Sequence, residues 1–418
     1  MSVRSNELLG VEKLPNGLTV VGQRMPGVES VAICFHVRTG SRDEPQDIAG
    51  VSHFLEHMMF KGTTRRSAVD ISREFEEMGA EFNAFTWVES TVYYARVLGD
   101  QLPRAVDLLA DMMRPALDEK EFETEKGVII EEIARSEDQP AHELIHQLFA
   151  NFFESHPLGN SVLGTQDTIR NMPVHRMREY HQRRYGANNI IFGIAGNFDW
   201  DKLLPMLEEV TRGWEPSEEG HQKVEFKPTP KVRVDLKPQF QQEHIAIASS
   251  APKQDEDDTW AAELVASVLG DSTGSRLFWE VTQKGLVDSI ETEYYGFDDA
   301  GLYLTYFSTS PDRAEEVLRV VRQEMQKLQQ DGVDQDELDR AKVKAVADIV
   351  IGGEASHRRM FELASLYVAK SKAMSVDEIV DSIESVSQED IRRVLERYPF
   401  TETFTVQAAG PLSDLNVS

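Results

Sequence analysis

The chain repeats itself once, and this duplication limits its fold more than any other feature. The segment DEKEFETEK at 118–126 follows an apolar helical run, AVDLLADMM. In the second half, DQDELDRAK at 334–342 follows a similar run, EEVLRVVRQEM. Later, MPVHRMREYHQRRYGANNIIFGIAG at 172–196 is echoed by VSQEDIRRVLERYPFTETFTVQAAG at 386–410. Both of these read as a capped helix, a short turn and a strand that ends in Ala-Gly. The order agrees and so does the offset, so each half is one copy of one fold. A period of roughly 210 residues means domain duplication rather than a short-repeat solenoid. A chain of 418 residues has room for two such copies.

The Pro-rich, polar stretch EPSEEGHQKVEFKPTPKV at 215–232 has linker composition. The expected division is therefore 1–218, a linker at 219–231, and 232–418. LTVVGQRM, VAICFHVRTG, EFNAFTWVESTVYYARV and NIIFGIAG alternate with period two and read as strands. Long amphipathic helical patterns separate them. Hairpin-like spacing points to mainly antiparallel sheet, hence an α+β fold in each half.

The chemistry concentrates in GVSHFLEHMMFKGT, a helical segment between two strands. His53 and His57 are four residues apart, so both imidazoles share one helix face. Two neutral imidazoles so placed can chelate one Zn²⁺. Glu56 lies beside them and can act as general base on a water that the metal activates. This is the reversed zincin pattern H-x-x-E-H. A third ligand is needed. The acidic helix ETEKGVIIEEIARSED offers Glu132, seven residues after Glu125 on one face, with Glu131 as its adjacent competitor. His142 and His146 also stand at i,i+4, but lack the adjacent carboxylate and read as structural. Met58 and Met59 read as core filler.

Charge and cysteine content narrow the functional classes. There are 72 acidic residues against 44 Lys and Arg, a net charge of −28, which argues against a nucleic-acid partner. The single cysteine, Cys34, lies in the apolar strand VAICFHV and reads as a buried core thiol. No stretch approaches the roughly 18 apolar residues of a membrane span. The opening MSVRSNELLGVEKL has neither a secretory apolar core nor a transit-peptide pattern, so a cytoplasmic location is expected.

HFLEHMMFKGT followed by GVIIEEI resembles the pitrilysin/insulinase family of zinc metallopeptidases. The likeness is to the branch that holds the mitochondrial processing peptidase β-subunit and its bacterial relatives. It extends through GAEFNAFTWVESTVYYARV, HPLGNSVLGT and GSRLFWEVTQKGLV. The resemblance implies two duplicated domains with zinc in the first only. It implies His53, His57 and Glu132 as ligands, with Glu125 as a supporting carboxylate. It implies that peptide adds as a strand beside Asn83, Ala84 and Phe85.

Superposing the halves with Gly62 on Gly270 sets Ala261, Leu264 and Val265 opposite His53, Glu56 and His57. The second copy therefore cannot build the same site. In the family this half supplies an Arg and a Tyr that bind substrate. Arg276 in GSRLF matches the Arg, but Asp288 in GLVDS stands where the Tyr is expected. A dimer is expected, possibly a heterodimer in which a homologous subunit supplies the Arg/Tyr pair. The alternatives are a catalytically silent scaffold like the family's respiratory core proteins, and a zinc hydrolase acting on a non-peptide substrate.

Overall fold

The computed structural model describes residues 8–402 and 404–416. The first seven residues of the N-terminal segment discussed above lie outside that range. Two compact units are formed.

The first unit carries a six-stranded sheet. Its strands are β1 (Leu9–Lys13), β2 (Thr19–Arg24), β3 (Ser30–Val37), β4 (Glu81–Thr86), β5 (Thr91–Leu98) and β6 (Ile190–Gly196). Their spatial order is β1-β2-β6-β3-β5-β4. The second unit carries β7 (Lys231–Leu236), β8 (Glu243–Ser250), β9 (Ile290–Gly296), β10 (Gly301–Thr309) and β11 (Phe404–Gly410) in the order β7-β11-β8-β10-β9. The β2/β6 and β7/β11 pairs are parallel, and the other pairs are antiparallel. With β1 set aside, the two sheets have one topology, as a duplicated α+β fold requires.

Helices cover both faces of the first sheet. On one side pack α1 (Val51–Met59), α2 (Ala68–Met78) and α3 (Leu102–Met112), with α4 (Glu119–Glu137) beyond them. Inward residues of β3, such as Ile33 and Phe35, meet Phe54, Leu55 and Met58 of α1 in that core. Among the described residues no helix is long and apolar enough to cross a membrane.

The compact units differ from the contiguous division at 218 and 232. The first comprises 1–134, 160–222 and 350–378, and the second comprises 135–159, 223–349 and 379–418. A helix has changed places in each direction. The helix Ser356–Lys370 lays Met360, Leu363 and Ala364 on Val21, Ala32, Cys34 and Ile191 of the first sheet. Its counterpart α5 (Pro140–Phe153) packs on β8 and β11 of the second. Each sheet has one apolar face that its own half leaves bare, and burying it favours folding by about 25 cal/mol per Å². An amphipathic stripe marks a helix as buried without naming the sheet, so local sequence does not decide the partner. Cys34 is fully buried under the Ser356–Lys370 helix. Burial pushes its thiol up to about 12, against a smaller lowering by the Gly193 backbone. Cys34 is a core residue and no nucleophile at neutral pH.

Candidate metal centre

The zinc-type motif stands on α1, and its start is fixed by the backbone. Gly50 has φ 91°, and a Cβ there would meet the Leu163 carbonyl oxygen at 2.5 Å, so only glycine fits. The Glu44 carboxylate accepts the Gly50 and Ser52 N–H groups at 2.6 and 2.7 Å. This places an acceptor at the positive end of the helix dipole. Phe54, Leu55, Met58 and Met59 are buried in the core. The opposite side of the helix then presents His53, Glu56 and His57.

The second helix, α4, brings Glu125 and Glu132. It docks on α1 through Phe122, whose ring stacks on Phe54 at 4.6 Å. His53, His57 and Glu132 thereby come together, with their ligand atoms within 4.8 Å of one another. His53 Nε2 is 3.7 Å from Glu132 Oε1, and His57 Nε2 is 3.6 Å from Glu132 Oε2. These spacings exceed a hydrogen bond. They fit donors that share one zinc, because bonds of about 2.1 Å at tetrahedral angles put ligands about 3.4 Å apart. Burial, and then the neighbouring His57, push His53 down to about 3. His53 is thus the neutral imidazole that a metal requires. Glu131 is exposed and outside the cluster, as are His142 and His146 of α5.

Behind the cluster lies a relay of Glu125, which the resemblance implies as a supporting carboxylate, and Lys61, which the sequence did not single out. Glu125, which is buried, places Oε1 2.9 Å from His57 Nδ1 and Oε2 2.6 Å from Lys61 Nζ. Burial pushes the Glu125 carboxyl up, but hydrogen bonds from Lys61 and His57 outweigh it and hold it below the usual range. An ionised Glu125 accepts a hydrogen bond from Nδ1–H and leaves the His57 Nε2 lone pair facing Glu132. Lys61 lies four residues past His57, just beyond the end of α1, and this spacing was the available signal. Replacing it with Met keeps the stem and removes the ammonium. Lys61→Met is expected to weaken zinc binding by about 10–100-fold, as read by competition with a chromophoric chelator. An unchanged affinity would show that the ammonium has no part in holding the site.

Glu56 is mostly buried, and its Oε2 accepts a hydrogen bond from Thr86 Oγ1 at 2.6 Å. Burial raises its carboxyl pKa and the nearby Glu132 adds to that, while Thr86 and His57 pull it down. Thr86 ends β4, the outermost strand of the sheet, which pairs with β5 on one side only. Asn83 and Phe85 are exposed on this strand, and Ala84 is buried. The Ala84 N–H donates to Asn83 Oδ1 at 2.9 Å.

Among its described residues the second unit holds no such cluster. On the helix Thr259–Gly270, Ala261, Leu264 and Val265 are all buried apolar residues. Among the described residues, His53, His57 and Glu132 form the one group suited to a metal. Arg276 is tied by two 2.7 Å bonds to the Glu337 carboxylate and by one of 2.8 Å to the Gly332 carbonyl. Asp288 is exposed. Tyr294 donates its hydroxyl proton to the Pro252 carbonyl, and Tyr295 donates its own to Glu293.

Fold and site define a two-unit α+β protein with a candidate His/His/Glu centre in one unit. Residues 19–166 match the family model "Insulinase (Peptidase family M16)", and residues 171–344 match "Peptidase M16 inactive domain". An uncharacterized zinc protease of Streptomyces coelicolor is 34% identical, over 97% of this chain and 90% of that one. One from Bacillus subtilis is 31% identical, over 96% and 98%. This chain belongs to the insulinase family, peptidase family M16. Among solved structures, a protease from Helicobacter pylori shares its fold with a TM-score of 0.90 at 23% identity, covering 96% of this chain and 99% of that one.

Proposed function

We propose that this chain is a zinc-dependent endopeptidase that cleaves peptides or unfolded segments, with His53, His57 and Glu132 as ligands. The carrying observation is the convergence of three ligand atoms within 4.8 Å, with an unligated carboxylate, Glu56, beside them. The zinc-protease names of the relatives point the same way.

When bound, zinc supplies Lewis acidity, which acidifies water and polarises a carbonyl. Glu56 takes the proton of the attacking water and passes it to the leaving amine. Its partly desolvated carboxyl suits that exchange, because it is a stronger base than an exposed glutamate. Glu125 and Lys61 keep His57 in the tautomer that can ligate. The open edge of β4 receives the peptide as an added strand at Asn83 and Ala84, and Phe85 contacts a side chain. This mode requires extended backbone, which favours peptides and unfolded segments over folded proteins. Arg276 contributes to substrate binding only if it leaves Glu337. With Asp288 in place of a phenol, we propose a dimer in which a homologous partner supplies the missing donor.

Metal analysis tests the reading. The purified chain is expected to hold about one zinc, lose peptide cleavage on chelation, and regain it with added zinc. Peptide cleavage that survives complete zinc removal would end the proposal, and a chain that takes up no zinc would favour the silent scaffold.

A further inference from the structure

Glu56 reaches into the site from α1, yet the group that fixes its carboxylate comes from the sheet. Among the described residues, Thr86 is the one hydrogen-bond donor to that carboxylate, at 2.6 Å. Its other neighbours, His57 and Glu132, act through charge alone. A glutamate side chain held at neither oxygen can rotate about its terminal bonds. A short bond to a charged acceptor removes that freedom and is about twice as strong as a neutral one.

The donor is itself rigid. Threonine is stiff at χ1, and Thr86 is paired across the sheet with Thr91. Thr91 is fully buried, and its hydroxyl donates to the Thr39 carbonyl at 2.9 Å. Thr86 also follows Ala84 by two residues, so both side chains lie on the same face of β4. The strand whose free edge is open to a peptide therefore carries the hydroxyl that holds the base.

We infer that Thr86 is a positioning residue: it holds Oε2 of Glu56 so that Oε1 faces the reacting water, and it ties that orientation to the substrate-binding strand. This rests on the assignment of Glu56 as general base. A purely structural hydroxyl, one that only joins α1 to β4, would affect stability and leave the chemical step alone. The geometry favours the first role because the acceptor, Glu56, is the carboxylate assigned as general base and stands outside the ligand cluster.

Thr86→Val is nearly isosteric and removes the donor, whereas Thr86→Ser keeps it. An internally quenched peptide that the zinc-loaded wild type cleaves serves as the probe. Thr86→Val is expected to lower kcat by about 10–100-fold, with KM, zinc content and melting temperature unchanged. Thr86→Ser is expected to recover most of the loss. Wild-type kcat in Thr86→Val overturns the inference, and so does a Thr86→Ser variant as slow as Thr86→Val. If valine prevents folding, Thr86→Ala replaces it in the same comparison. Glu56→Gln separates this inference from the reading beneath it. Full activity in Glu56→Gln defeats the base assignment itself. An inactive Glu56→Gln beside a fully active Thr86→Val defeats only the role of Thr86.

Discussion

Glu56→Gln is expected to lower kcat by about 10²–10⁴-fold, the usual contribution of a positioned general base, while zinc binding stays intact. The two effects separate because Glu56 is not in the ligand cluster, which consists of His53, His57 and Glu132. Glutamine has the same shape, and its carbonyl oxygen can still accept the Thr86 hydrogen bond. It has no carboxylate to take a proton from water. Metal content by mass spectrometry, measured beside peptide turnover, gives both values. Cleavage at the wild-type rate in a zinc-loaded Glu56→Gln chain would remove Glu56 from the mechanism. Loss of zinc together with activity would show that the residue supports the metal as well.

Phe54→Ala is expected to destabilise the first unit by about 3–5 kcal/mol, the range for truncating a buried phenylalanine. Phe54 is fully buried and stacked on Phe122, with the rings 17° from parallel. It stands between His53 and the pair Glu56 and His57, and it is the hinge pin between α1 and α4. A cavity there removes core packing and also loosens the spacing between the two imidazoles and Glu132. Whole domains are stable by only about 5–15 kcal/mol, so the loss is a large share. A drop in melting temperature of roughly 10 °C, accompanied by weaker zinc binding, is the expected outcome. Added zinc is expected to recover part of the loss, because a ligand that binds only the folded state stabilises it. A melting temperature within a degree or two of wild type would show that the stack contributes little. Phe54→Leu, which keeps most of the volume, is expected to lose less.

Much of this was legible in the residues, for physical reasons that can be named. The H-x-x-E-H spacing is a local geometric fact about a helix, so His53, Glu56 and His57 needed no tertiary information. The choice of Glu132 over Glu131 depended on which face of α4 turns towards α1. Phe122, Ile129 and Ile133 bury one side of that helix. The acidic pattern alone left both glutamates open, and family resemblance chose between them. The duplication was legible because each copy must bury its sheet with the same sequence of amphipathic elements. The helix exchange was not, since an apolar stripe such as Met360, Leu363 and Ala364 states that a helix is buried but not against which sheet. Thr86 and Lys61 were both inside quoted motifs, yet each acts through a side chain distant in sequence. Thr86 lies 30 residues from Glu56, and Lys61 lies 64 before Glu125. β1 was also missed, because its side chains are half-buried or exposed and leave no strong alternation.

The exchanged helices also set a timetable for synthesis. The strands of the first sheet are complete once the chain has been made as far as Gly196, but the helix that covers its second face ends at Lys370. At about 5–20 residues per second the delay between them is on the order of ten to thirty-five seconds. For that time a nascent chain displays Val21, Ala32, Cys34 and Ile191 uncovered beside the ribosome. Cutting the gene at the linker would leave each fragment without the helix that covers its sheet.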